Sequence, residues 1–87
     1  MSAESGWAAT IEIRLPSAAG AVRLARSLAP ESTREVPRAT ARVDRPGPTV
    51  VRVTISARDT GALRAAINTH LGWVQLALAT ERRVAPP

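Results

Sequence analysis

The residue types of a nucleophilic catalytic site are present in this chain as Ser56, Asp59 and His70. A serine, a histidine and an aspartate act together only when the fold places them in hydrogen-bond contact. His70 lies on the main apolar stripe of a predicted helix, and Asp59 is placed to cap the same helix. We interpret His70 as a packed or interface histidine, and we predict that the chain has no catalytic residue and is not an enzyme.

Other chemistry finds little support in the sequence. The acidic residues are scattered, with no spacing that would pair two of them on one face. Gly61 and Gly72 fall inside the second predicted helix and Gly47 falls in a predicted turn, so the glycines form no phosphate-binding loop. There is no cysteine, which excludes a disulfide and nearly excludes a zinc site. We therefore predict no cofactor and no metal.

Size and charge point to binding. A chain of 87 residues forms one small domain with a thin core, and a partner subunit is one usual remedy. Its net charge is +5, and all 12 basic residues are arginine, although codon bias in a GC-rich genome would also explain the missing lysine. Positive charge favours nucleic acid or acidic surfaces as partners. No secretory signal or membrane-spanning stretch is recognisable, so we predict a cytoplasmic protein with no membrane partner.

Three segments alternate apolar and polar residues, the pattern of half-buried strands. They cover Ala8 to Leu15, Val36 to Asp44 and Val51 to Ala57. Arg45-Pro46-Gly47-Pro48 separates the last two, with proline and glycine placed for a type II turn. The turn predicts an antiparallel hairpin of strands two and three.

Two segments have helical spacing. The first runs from Ala18 to Ala29, with Ser17 as its cap and Pro30 predicted to stop it. The second runs from about Thr60 to Thr80. The predicted fold class is α+β, in the order β-α-β-β-α, with both helices packed on one face of a three-stranded sheet that is antiparallel if strand three is central. The predicted organisation is a flexible N-terminus at 1–7, one domain at 8–80 and a flexible tail at 81–87.

The second helix is apolar over two adjoining stripes, which is wider than one packed face requires. Trp73 and Leu76 lie on the second stripe, and clustered large apolar residues mark an interface when they are exposed. We predict that this helix docks a partner. The alternative is that the alanines of the helix are surface residues with high helix propensity.

The polar sides of the strands carry four arginines against Glu12 and Asp44. The four are Arg14, Arg38, Arg42 and Arg52. This face is either a platform for an RNA backbone or a solvated polar surface, and charge alone does not separate the two. It has no stacking aromatic residue, so base-specific reading is not predicted.

A resemblance extends over the whole predicted domain. Its most specific part is Ala57-Arg58-Asp59 followed by Leu63-Arg64 and Asn68. Upstream it includes Leu15-Pro16-Ser17-Ala18-Ala19, Ser27-Leu28-Ala29-Pro30-Glu31 and Arg38. In order and spacing these segments resemble the small dimerising subunit of the KEOPS complex, the Pcc/CTAG family.

The resemblance implies a non-enzymatic subunit of an assembly that adds the threonylcarbamoyl group to an adenosine of tRNA. Such a subunit forms homodimers, docks by its helices onto the catalytic ATPase-fold subunit and helps the complex hold tRNA. Arg64 and Asn68 match the polar members of the docking surface. His70 departs from the family pattern, in which an apolar or aromatic residue is frequent. The rivals are a free-standing RNA-binding or ribosome-associated domain and a structural dimer without a nucleic-acid role.

Strand one would be an exposed edge of the sheet, without a protecting proline, whereas strand two begins beside Pro37. We therefore predict that the homodimer forms through strand one, at Ile11 and Ile13.

Overall fold

A computed structural model describes residues 6–32 and 38–84 of the chain. The elements are β1 (Trp7–Arg14), α1 (Ala18–Ser32), β2 (Ala39–Gly47), β3 (Val50–Ala57) and α2 (Thr60–Val84). The predicted α+β class and the β-α-β-β-α order are confirmed. Residues 1–5, 33–37 and 85–87 lie outside the described part, and with them the predicted strand start at Val36 and the protecting Pro37.

The sheet has the order β1-β3-β2, and both of its pairings are antiparallel. Trp7 lies opposite Ala57 at one end of the β1–β3 pairing, and Arg14 lies opposite Val50 at the other. Strand three is therefore central, the condition under which the sequence predicts an antiparallel sheet, and the antiparallel three-stranded sheet is confirmed. Both β1 and β2 are edge strands.

Alternation in β3 divides its side chains between two environments. Val51, Val53 and Ile55 are fully buried, while the residues between them are only partly covered. The buried side chains pack with Leu24 of α1 and Val74 of α2 in a single core. Both helices thus cover the same face of the sheet, and no helix of the described residues covers the other face.

Helix α1 begins as the sequence predicts, because the Gly20 N–H donates to Ser17 Oγ at 3.0 Å. Its predicted end is wrong: α1 continues past Pro30 to Ser32. A proline lacks only its own amide hydrogen, so near the last turn it removes one helical hydrogen bond while the next residues keep helical backbone angles.

The β2–β3 turn also differs from its prediction. Strand β2 extends to Gly47, and the turn consists of Pro48 and Thr49. The register shifts between Asp44 and Gly47, so the predicted turn residue Pro46 lies in a β-bulge. An edge strand tolerates a proline at such an irregularity, because no ladder hydrogen bond is required of its nitrogen there.

Helix α2 is capped by Asp59, whose Oδ1 accepts the Ala62 N–H at 2.8 Å. Its buried side chains recur every four residues at Ala62, Ala66, His70 and Val74. The helix continues to Val84 instead of ending near Thr80, since the glutamate and arginines that follow favour helix. The predicted flexible tail at 81–87 therefore begins within this helix.

Candidate protein and nucleic-acid interfaces

Ser56, Asp59 and His70 do not form a nucleophilic triad. Nδ1 of His70 lies 2.8 Å from the Ala66 carbonyl oxygen, so this nitrogen carries the proton and donates it. The other ring nitrogen, Nε2, is buried without a hydrogen-bond partner among the described residues. His70 is 4% exposed, and its ring meets Trp73 edge-on with centroids 4.8 Å apart. It is a packed histidine, one of the two roles predicted for it.

Asp59 has a second partner besides the helix cap. Its Oδ2 forms an ion pair with the guanidinium of Arg38, just before β2. The backbone of Arg38 has a φ of 66°, uncommon for a residue other than glycine. Its carbonyl accepts the Arg58 N–H at 3.0 Å. Arg38 was predicted as an RNA contact. Its side chain and its carbonyl oxygen instead bind Asp59 and Arg58, at the point where β2 and α2 both begin.

The helix-free side of the sheet, here called the open face, carries the polar residues of all three strands. Its central row consists of Glu12, Arg52 and Asp44, one from each strand. Arg52 donates from Nε to Asp44 Oδ1 at 3.2 Å and from an Nη to Oδ2 at 2.7 Å. This two-point pairing uses the guanidinium edge that a phosphate would need.

The pairing of Asp44 with Arg52 shifts the pKa of both side chains. The hydrogen bond from Arg52 lowers the pKa of the Asp44 carboxyl, and the charges of Arg52 and Arg42 lower it further. The hydrogen bond to Asp44 raises the pKa of Arg52 in turn. Asp44 therefore remains ionised near neutral pH and continues to compete for Arg52.

Arg14 and Arg42 are the exposed arginines at either side of this row. They differ from Arg52 in having no carboxylate directly across a strand: Arg14 lies opposite Val50, and Arg42 lies opposite Thr54. Of the four arginines predicted to meet RNA, these two have the side chains best placed to do so. Trp7 is 50% exposed, but its register places it on the helix side of the sheet.

The predicted docking residues of α2 fall into two groups. Trp73 is half-buried against the core, while Leu76 is 71% exposed. Together they line a shallow groove between α1 and α2 of about 200 Å³, here called the helix groove. Its lining residues are Ser27, Leu28, Trp73, Leu76, Ala77 and Thr80.

Arg64 and Asn68 are exposed one turn apart on α2. At about 100° per residue they point well away from Trp73 and lie closer to Leu71, which is 39% exposed. The structure therefore does not bring the four predicted docking residues into one patch. The contribution of α1 to the helix groove was missed, because residues 27 and 28 have no sequence pattern that pairs them with α2.

Ile11 and Ile13, the predicted dimer residues, are half-buried on the helix side of β1. Each packs against the core, and their strand has no neighbour beyond it among the described strands. A further strand could therefore pair with β1 and cover them.

The described residues contain neither a metal-binding cluster nor a membrane-spanning helix. In ranges 6–32 and 38–84, no three histidine, cysteine, aspartate or glutamate residues lie close enough to hold a metal ion. No helix in these ranges is long and apolar enough to cross a membrane.

These features define a small α+β domain with a free sheet edge, an apolar helix groove and a sheet face of mixed charge. The family model described as transcription factor Pcc1 matches residues 8–81. The chain belongs to the Pcc1 family, the KEOPS subunit family that its sequence resembles. This family is not known as a catalytic one. No curated protein matches the chain.

Proposed function

We propose that this chain is the non-catalytic, dimerising subunit of a KEOPS-type complex that adds the threonylcarbamoyl group to tRNA. In this proposal it docks the catalytic ATPase-fold subunit through its helices and helps the complex hold tRNA in the cytoplasm. The supports are membership of the Pcc1 family and a chain without a catalytic arrangement among its described residues.

The exposed Leu76 beside the half-buried Trp73 carries the docking proposal. A leucine that is 71% exposed next to an apolar groove leaves apolar surface in water. Covering that surface with a helix or loop of a partner is favourable, at about 25 cal/mol for each Å² buried. The partner surface is therefore assigned to the helix groove, and Arg64 and Asn68 lie on a different side of α2.

Co-purification tests this assignment. Leu76→Asp places a charge in the covered groove, so recovery of the catalytic subunit with the tagged chain should fall about tenfold or more. The free protein should keep its circular dichroism spectrum, because Leu76 is exposed. Thr40→Asp, which adds the same charge on the open face, is the matched control and should recover the partner normally.

Two results would contradict the proposal. If Leu76→Asp recovers as much catalytic subunit as the wild type, the helix groove is not the docking surface. If no catalytic subunit accompanies even the wild-type chain, a free-standing RNA-binding domain becomes the better account. Trp73→Ala is unsuitable for this test, because Trp73 packs on the core and its truncation costs folding stability.

A further inference from the structure

Trp7 occupies the first position of β1, an edge strand of the sheet. Its side chain is 50% exposed, although it lies on the side of the sheet that carries the helices. Its direct neighbours on that side are Ala9 along the strand and Ala57 across it. Alanines are too small to cover an indole ring, so Trp7 keeps a large apolar surface in contact with water.

Arg58 lies at the same corner of the sheet. It follows Ala57, the residue opposite Trp7, and its carbonyl oxygen would lie 3.8 Å from a Cβ atom at Gly6. Its side chain is exposed, and no ion pair joins it to another described residue. The neighbouring acid, Asp59, already caps α2 and pairs with a different arginine. The charge of Arg58 is therefore available to a ligand.

We propose that this corner binds an unpaired nucleotide of RNA, with its base stacked on the Trp7 indole and a neighbouring phosphate on the Arg58 guanidinium. Every base has a ring face that stacks on an aromatic side chain, so this contact does not depend on the sequence of the RNA. A guanidinium beside the indole favours a ligand that combines a flat apolar ring with an anion. The net charge of +5 favours a polyanion in the same way.

This inference rests on the proposed role in holding tRNA and adds a contact of a different kind. Trp7 lies just outside residues 8–81, the part of the chain that matches the family model. The corner is also separate from the arginines of the open face, because Trp7 is on the helix side and Arg14 is at the other end of β1. Ring surface as well as charge would therefore contribute to RNA binding.

Fluorescence offers a direct test, since Trp7 and Trp73 are the two tryptophans of the chain. The full chain is titrated at low salt with a short single-stranded adenylate RNA, and stacking should quench the emission of Trp7. Affinity is followed separately by the anisotropy of the labelled RNA. Trp7→Ala should weaken binding about fivefold or more, the loss expected for one stacked base. Trp7→Phe retains an aromatic ring, so it should bind nearly as well as the wild type while the quenching disappears.

Arg58→Gln tests the phosphate contact. It should weaken binding and reduce the salt slope by about 0.7, the value for one phosphate of a single strand. Arg26→Gln is the matched control, because it removes the same charge from an exposed position on α1, the helix that packs over β2 and β3. The control should leave the salt slope unchanged.

Several results would overturn the assignment. Quenching that is absent from the wild type, or equal in Trp7→Phe, would exclude stacking on Trp7. A ribose-phosphate chain without bases that binds as tightly as the adenylate RNA would show that charge alone supplies the affinity. If Trp7→Ala lowers recovery of the catalytic subunit or changes the molecular mass by light scattering, Trp7 is covered by protein and not by a nucleotide.

The proposed function can fail or hold independently of this corner. It is tested by tRNA binding of the assembled complex when the open-face residues Arg14 and Arg42 are substituted. A complex that binds tRNA through those arginines, with no effect of Trp7→Ala, would leave the proposed function intact and overturn only the stacking contact.

Discussion

His70 contributes an unpaired polar atom to an otherwise apolar core. Its Nδ1 is satisfied by the Ala66 carbonyl, but Nε2 has no partner among the described residues. A buried polar atom left unpaired costs about 1–3 kcal/mol. The unpaired nitrogen of His70 thus has a physical cost in the isolated chain.

His70→Leu should therefore stabilise the protein. The leucine has a similar volume and no unpaired nitrogen, so we expect the free energy of unfolding in urea to rise by about 1 kcal/mol. His70→Ala is the control and should destabilise, because it leaves a cavity. A clear loss of stability in His70→Leu would mean that Nε2 or the edge-on contact with Trp73 is worth more than this account allows.

The Asp44 carboxyl offers a titration test of the open face. Because Arg52 lowers its pKa, its midpoint by NMR should lie below the ordinary 3.8. A carboxyl whose pKa is lower in the folded state than in the unfolded state stabilises the fold at any pH above its unfolded-state pKa. This contribution disappears as the pH falls through the folded-state pKa. The effect on stability should be small, since both side chains are exposed to solvent.

Arg52→Gln should return the Asp44 midpoint toward 3.8, because the hydrogen bond is the largest cause of the shift. Arg42→Gln is the matched control: it removes only the weaker charge interaction and should move the midpoint less. Equal shifts in the two variants would show that general field effects, not the pairing with Arg52, set this titration.

At the scale of the elements, Asp59 joins the start of α2 to the start of β2. One oxygen caps the helix and the other pairs with Arg38. Both roles depend on the same side chain, and they can be separated by substitution.

Asp59→Ala removes the cap and the ion pair, so it should destabilise by about 1–2 kcal/mol in chemical denaturation. Asp59→Asn retains a capping oxygen and loses only the charge interaction, so its cost should be under about 1 kcal/mol. If the asparagine variant is as unstable as the alanine variant, the pair with Arg38 outweighs the cap.

Sequence reasoning succeeded where a pattern is local and failed where a contact is not. Alternation in Val51 to Ala57 identified the buried central strand, and Ser17 and Asp59 identified the helix starts. Pro30 and Pro46 misled, because a proline disfavours regular structure on average while a helix end or a bulge tolerates it.

The candidate surfaces were predicted less completely than the fold. The alternation predicted that Arg42 and Arg52 lie on one face. It does not reveal that the Arg52 guanidinium donates a hydrogen bond to the Asp44 carboxylate. Arg38 was assigned to the same face by extending the alternation, although its positive φ and its partner Asp59 lie outside any strand pattern. Such pairings depend on three-dimensional neighbours that periodicity does not contain.

At the scale of the whole molecule, some arginines of the open face already pair with carboxylates and others do not. Under the proposed function, this difference predicts which arginines aid tRNA binding in the assembled complex. Arg14→Ala with Arg42→Ala should weaken binding and reduce the salt slope by roughly 0.7–0.9 for each phosphate that is no longer neutralised. Arg38→Ala with Arg52→Ala removes the same charge from residues that already have acidic partners, and it is the matched control with the smaller effect.

Binding measured at several salt concentrations distinguishes these outcomes. An unchanged affinity and slope in the Arg14 and Arg42 double variant would mean that the open face is only solvated. A weakening restricted to one tRNA sequence would indicate base reading, for which the described open face has no aromatic residue.

The central position of β3 has a consequence for how the chain is made. Strand β1 is synthesised before the other strands, yet its partner among the described strands is β3, which ends at Ala57. At about 5–20 residues per second, the ribosome needs a few seconds to supply that partner. During this interval the nascent strand lacks the neighbour with which it pairs in the folded sheet.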